Sequence, residues 1–163
     1  MPSDRSELTL ARELGECLLA RQWHCAVAES CTGGRLSAAM TDVAGSSRWF
    51  ERGFITYTNQ SKIDMLGVSD EMLTLHGAVS ESTVRSMAEG ALARSSADIT
   101  CAISGVAGPG GGSVEKPVGL VWFAWSLRGG LTEAISYCFK GDRFAVRTQA
   151  VYAALNGLIT RCT

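Results

Sequence analysis

The stretch PVGLVWFAWSLRGGLTEAISYCF, residues 117–139, decides the fold. Residues 117–127 are apolar, aromatic and β-branched, which reads as a long strand. Gly129-Gly130 makes a tight turn, and LTEAISYCF (131–139) is the hairpin partner. A hairpin joins antiparallel strands, whereas parallel neighbours need a long crossover. Whatever sheet the upstream chain builds, this hairpin puts one antiparallel strand into it. The apolar run VGLVWFAWSL is about ten residues, too short for a bilayer, which needs roughly 20.

Working towards the N-terminus, DITCAIS (98–104) reads as a buried strand. Ser80-Glu81-Ser82-Thr83 opens a helix with Val84, Met87, Ala88 and Ala91 on one face. Ser69-Asp70-Glu71 starts a shorter helix that Gly77 stops. GFITYT (53–58) reads as a strand, and Asn59 to Lys62 opens a short helix ended by Gly67. HCAVAE (24–29) is a short buried strand, followed by a helix from Thr32 or Gly33 to about Asp42, broken at AGSS. Leu10, Leu14, Cys17 and Leu18 recur at steps of three and four, giving an amphipathic helix over about 5–22. Downstream, Asp142 caps a last helix that buries Val151, Leu155, Leu158 and Ile159. Helices alternating with the first three strands argue for parallel pairing through crossovers. The expected fold is α/β, a three-layer α/β/α sandwich. Its sheet is mixed and mostly parallel, of about five strands, one of them antiparallel.

At 163 residues, 46% of them apolar, the chain suits one domain spanning 1–163 with its own core. Its formal net charge is −1 and the charges are interspersed, so nothing marks a nucleic-acid surface. The N-terminus mixes acids into its apolar residues and shows no signal-peptide core. Six cysteines form no Cys-x-x-Cys pair, and the two histidines, His24 and His76, are isolated. No metal site and no cofactor are expected. Cys25, Cys101 and Cys138 read as small buried hydrophobes in a reduced, cytoplasmic protein.

In open α/β sheets ligands gather at the carboxyl ends of the parallel strands. Three such ends carry polar clusters: Glu29-Ser30-Cys31-Thr32-Gly33-Gly34; Tyr57-Thr58-Asn59 with Lys62; and Ser104-Gly105 with the glycines of 108–112. If Ser30 ends its strand, it lies beside the free N–H groups of the next helix, which suit a phosphate or an oxyanion. Ser30 or Thr32 can equally be a plain helix cap. A serine nucleophile needs a base. Neither histidine is well placed, which leaves a lysine whose pKa is lowered by burial. Of the three lysines, Lys62 follows a strand end; the plainer reading of it is a solvated helix residue. Ser113-Val-Glu-Lys116 matches the S-x-x-K pattern, but flanking glycines and Pro117 oppose the helix that pattern requires. The glycine run 108–112 lacks phosphate-loop spacing and either cradles an anion or turns the chain. Cys31 is a rival nucleophile, since thiols need less activation.

AESCTGG, ITYTNQSK followed by LGV, GAVSE, and SGVAGPGGGSVEKPVGLV occur in an order that resembles the CinA C-terminal family. These are the competence-damage-inducible, nicotinamide-nucleotide amidohydrolase proteins. The resemblance runs over about residues 8–160. Larger members carry an additional N-terminal domain, so a stand-alone form is expected. The resemblance implies a metal-free Ser/Lys amidase of pyridine nucleotide recycling. Its reaction converts nicotinamide mononucleotide to nicotinate mononucleotide and ammonia. It makes Ser30 the nucleophile and Lys62 the general base, with Tyr57 relaying a proton or orienting Lys62. Where the family has Thr-Gly before the glycine-rich loop, this chain has Ser104-Gly105. Arg143 of the GDR segment matches a position near the site, to meet the phosphate or orient a catalytic group.

The expected mechanism has N–H groups around Cys31, Thr32, Gly33 and Gly34 hold the oxyanion while Ser30 attacks. The expected partner is a small-molecule nucleotide, with no nucleic acid and no membrane. Two readings stand beside it. One is a binding module using the same pocket without chemistry. The other is a homo-oligomer or partner-binding protein, with Trp122 and Trp125 at an interface or in the core.

Overall fold

The computed structural model describes residues 5–163, so the first four positions of the expected domain lie outside the described residues. Helix α1 (Glu7–Arg21) leads into β1 (Cys25–Glu29) and α2 (Arg35–Thr41), then a short 3-10 turn at Ser46–Arg48. Next come β2 (Phe50–Ile55), α3 (Asn59–Leu66), α4 (Asp70–His76) and α5 (Glu81–Ala93). Strands β3 (Ile99–Gly105), β4 (Leu120–Leu127) and β5 (Thr132–Cys138) follow, and α6 (Arg143–Cys162) closes the chain.

The sheet order is β2-β1-β3-β4-β5. β1 lies parallel to both β2 and β3, while β4 runs antiparallel to β3 and to β5. Four strands therefore point one way and β4 alone points back, as the 117–139 hairpin requires. The chain steps from β1 outward to β2 and then crosses to β3 on the other side of β1. The carboxyl end of β1 is thus a topological switch point, where open sheets leave a crevice.

The two faces are built from different side chains. Val27, Cys101 and Trp125 stand in register on one face, packed with α1, α2 and α6. On the other, Ala28, Ala102, Ala124 and Ala134 form a row across four strands. Small side chains there let α5 lie close, and buried Thr100 on β3 donates its hydroxyl to Ala88 O of that helix at 2.7 Å. Trp49 and Trp125 are both buried, so the core reading holds for Trp125; Trp122 is only partly buried, against the α5 side.

Cys138, expected in the core, is exposed on the edge strand β5, and two strand boundaries differ from expectation. β2 starts and ends three residues before GFITYT. Thr58 leaves the ladder because its side chain accepts Ser61 N–H while Ser61 Oγ accepts Thr58 N–H, a reciprocal cap on α3. β4 starts at Leu120 rather than 117. Gly119 has φ +97°, and a Cβ there would meet Phe139 O at 2.1 Å, so the chain turns sharply before entering the sheet.

Candidate active site

β1 ends at Glu29, whose side chain turns back over the start of α2. The buried carboxylate accepts N–H bonds from Gly34 (3.2 Å), Leu36 (2.9 Å) and Ser37 (3.0 Å), and the Ser37 hydroxyl at 2.7 Å. An anion at a helix N-terminus is favoured by both the free amides and the helix dipole. Neither Ser30 nor Thr32 caps α2, and the helix starts at Arg35, later than the sequence pattern suggests. The reversal needs Gly33 and Gly34, with φ +57° and +102°.

This corrects the expected anion hole. Gly34 N–H is taken by Glu29 and Gly33 N–H by Ser30 O at 3.0 Å. The amides of Cys31 and Thr32 donate to no other residue among the described residues, and the Cys31 amide faces its own thiol sulfur. Their carbonyls are held instead by Arg147 of α6, whose Nε donates to Cys31 O and Nη2 to Thr32 O, both at 3.0 Å. The Thr32 hydroxyl is buried without a partner among the described residues.

Ser30 is anchored by its own N–H, which donates to Ile103 O of β3 at 3.0 Å. Its hydroxyl faces Lys62, the fourth residue of α3, whose amine lies 2.9 Å from Ser30 Oγ and 2.9 Å from Thr56 O. Lys62 is not a solvated helix residue: it is 1% exposed. Burial pulls its ammonium from the usual lysine range down to about 8, with Cys31 opposing weakly. Burial pushes the neighbouring Cys31 thiol up to about 11, against the pull of its own backbone amide, then of Arg147 and Lys62. Cys31 therefore stays a protonated thiol at neutral pH, which weakens it as a rival nucleophile.

These groups open into a cleft of about 260 Å³ at the carboxyl ends of β1, β2 and β3. Ser30, Cys31, Tyr57, Lys62, Ser104, Gly105 and Arg143 all line it. Thr32, Gly33 and Gly34 do not; a Cβ on Gly33 would face Arg147 of α6 and one on Gly34 would face Ile55. Tyr57 is not bonded to Lys62. It is 56% exposed, and its hydroxyl accepts Arg143 Nη2 at 2.8 Å. Arg143 Nη1 donates to Gly108 O at 2.8 Å, so this side chain spans the cleft mouth from the loop after β2 to the loop after β3. Ser104 is buried, lines the cleft and makes no side-chain hydrogen bond among the described residues.

Glu29, Thr56 and Arg147 were not readable as site residues. Glu29 stood in the quoted motif, but its target amides are set by the turn. Thr56 contributes a backbone carbonyl, and Arg147 lies far along the chain in a plain helical pattern. Lys116 of the S-x-x-K match donates to His76 O, and Ser113 Oγ accepts Lys116 N at 3.0 Å, with no helix there. Among the described residues no group of His, Cys, Asp and Glu is placed to hold a metal ion.

The pattern of the CinA C-terminal domain matches residues 7–162. The chain is 51% identical over 156 residues to the nicotinamide-nucleotide amidohydrolase PncC of Escherichia coli K12, covering 96% of this chain and 94% of that one. It is 52% identical to the protein of the same name from Shigella flexneri, with the same coverage. A crystal structure of competence/damage inducible protein CihA from Agrobacterium tumefaciens superposes with a TM-score of 0.93. It is 44% identical to this chain and covers 98% of both chains.

Proposed function

This chain belongs to the CinA C-terminal domain family, and from that premise we propose that it is a nicotinamide-nucleotide amidohydrolase working through Ser30 and Lys62. The observation that carries the mechanism is the buried 2.9 Å contact between Lys62 Nζ and Ser30 Oγ. With its pKa near 8, Lys62 has a substantial neutral fraction at physiological pH. A neutral amine can accept the Ser30 proton while still donating to Thr56 O, which fixes its lone pair on the hydroxyl.

Ser30 Oγ attacks the carboxamide carbon of nicotinamide mononucleotide as its proton passes to Lys62. The negative oxygen is received by the amides of Cys31 and Thr32, which no other residue takes and which Arg147 holds in place through the adjoining carbonyls. Lys62 returns the proton to the departing nitrogen and ammonia leaves. Water, deprotonated by Lys62, then attacks the acyl-enzyme and releases nicotinate mononucleotide and free Ser30. Arg143 has N–H groups left over after Gly108 O and Tyr57, and these meet the phosphate. Tyr57 orients Arg143 in this reading rather than relaying a proton. The Ser104 hydroxyl and the Gly105 backbone border the pyridine ring.

The same reading makes the chain one domain acting on a small-molecule nucleotide in the cytoplasm, without nucleic acid. Among the described residues no helix is long and apolar enough to cross a membrane. A homo-oligomer remains part of the expectation, to be read by light scattering. A binding module without chemistry would leave Lys62 turned to solvent, away from Ser30. The test is ammonia release from nicotinamide mononucleotide. Wild type releases it, and Ser30→Ala and Lys62→Met lose at least about a thousandfold in kcat. Full activity in Ser30→Ala would sink the scheme.

A further inference from the structure

Arg143 divides the reactive cleft from a second hollow. This has a volume of about 500 Å³ and shares Ala107 and Arg143 with the cleft. Its remaining walls are largely apolar, chiefly Pro109, Val118 and Phe144, with Asp142 at the edge. Phe144 is 67% exposed and joins neither core cluster. The Arg35 guanidinium sits 4.9 Å from its ring centroid, which occupies one ring face and steadies the ring. The other face is left for a flat partner. Asp142 spends one carboxylate oxygen on Ala145 N–H at 2.9 Å, and its second oxygen has no partner among the described residues.

We propose that this hollow takes the distal nucleoside of a nicotinamide dinucleotide, making the dinucleotide a competitive ligand of the cleft. The proposal rests on the mononucleotide reading above. With the carboxamide at Ser30, the 5′-phosphate reaches Arg143 at the cleft mouth. A mononucleotide ends there. A dinucleotide continues through a second phosphate past the same guanidinium, and the next space along that path is the hollow. A purine ring there stacks on the free face of Phe144, between the apolar walls of Pro109 and Val118. The spare oxygen of Asp142 accepts a hydrogen bond from an exocyclic amine, which selects an adenine-type base over one presenting only carbonyls. The residues that recognise the distal half are thus separate from those that perform the reaction.

The test is inhibition of nicotinamide mononucleotide hydrolysis by oxidised nicotinamide adenine dinucleotide, with wild type, Phe144→Ala and Phe144→Tyr. The dinucleotide is expected to inhibit competitively. Phe144→Ala should raise its Ki at least fivefold while changing KM for the mononucleotide less than twofold, and Phe144→Tyr should restore the wild-type Ki. No competition by the dinucleotide at concentrations that saturate with mononucleotide would overturn the proposal. A Ki indifferent to Phe144→Ala would also do so. If wild type turns nothing over, calorimetry with both ligands separates the two ideas. Mononucleotide binding without dinucleotide binding sinks the hollow alone, and binding of neither sinks the mononucleotide reading itself.

Discussion

At the scale of the residue, Lys62 sets the pH behaviour. Its neutral form is the base, so kcat should rise about tenfold between pH 7 and 9 and level off as pH passes its value of about 8. A flat profile over that interval would remove Lys62 from the role. The same shift enters stability. Unfolded, the amine titrates near its usual 10.5; folded, near 8. Between those values the unfolded chain binds more protons, so this contribution rises with pH. Below pH 8 the charged form is buried at full cost; the cost is relieved as pH climbs towards 10.5. Relative to Lys62→Met, which cannot titrate, wild type should gain about 1 kcal/mol of unfolding free energy from pH 7 to 9 in urea melts. Arg147 donates to two carbonyls beside the nucleophile. Its replacement by alanine should lower kcat about tenfold to a hundredfold with KM little changed, and lysine should restore part of the loss. An equal rise in KM would instead place Arg147 on the substrate. Ser30 stood out at a strand end, whereas Lys62 read as a solvated helix residue until the family resemblance singled it out, because its burial comes from packing across the sheet edge and not from its neighbours in sequence. Glu29 was visible as a residue but not as a cap, because the amides it meets are chosen by two left-handed glycines after it.

At the scale of the element, two indoles sit in notches cut by glycine. A Cβ on Gly157 of α6 would come within 2.1 Å of the Trp125 ring, and one on Gly15 of α1 within 2.8 Å of Trp49. Alanine normally gains about 1 kcal/mol over glycine inside a helix. At Gly157 the overlap with a buried ring costs more, since overpacking runs to about 1–3 kcal/mol. Gly157→Ala should therefore lower the thermal midpoint, and a midpoint that rose would show that Trp125 can move aside. Such glycines look like weak points in a helical sequence, because the ring that needs them lies in a distant strand. The caps were the most legible parts: Ser69, Ser80 and Asp142 each accept the N–H expected of them. The strand at 50–55 was placed three residues late, because TYT has the composition of a strand while Thr58 is committed to the next helix. The hairpin was legible apart from the start of its first strand, since its two strands and paired glycines carry their own turn.

At the scale of the whole molecule, sequence order gave parallel strands and a returning hairpin but not their lateral order. That order follows from which face each helix covers, and the alanine row under α5 is a property of register that no single strand displays. Ser30 hangs from β1 and the turn into α2, braced from the α6 layer by Arg147. Lys62 comes from α3, in the opposite layer, where Gly90 of α5 is so close to Leu66 that a Cβ would lie 2.0 Å from its carbonyl oxygen. Each helical layer thus owns one member of the pair, and the sheet sets the spacing between them. Turnover then doubles as a gauge of the entire fold. Any species that has shed one layer keeps secondary structure yet is silent in the assay. In a urea titration, activity and far-ultraviolet dichroism should fall on one curve if both layers dock together. Activity vanishing first would reveal a half-assembled sandwich, visible to light but blind to substrate.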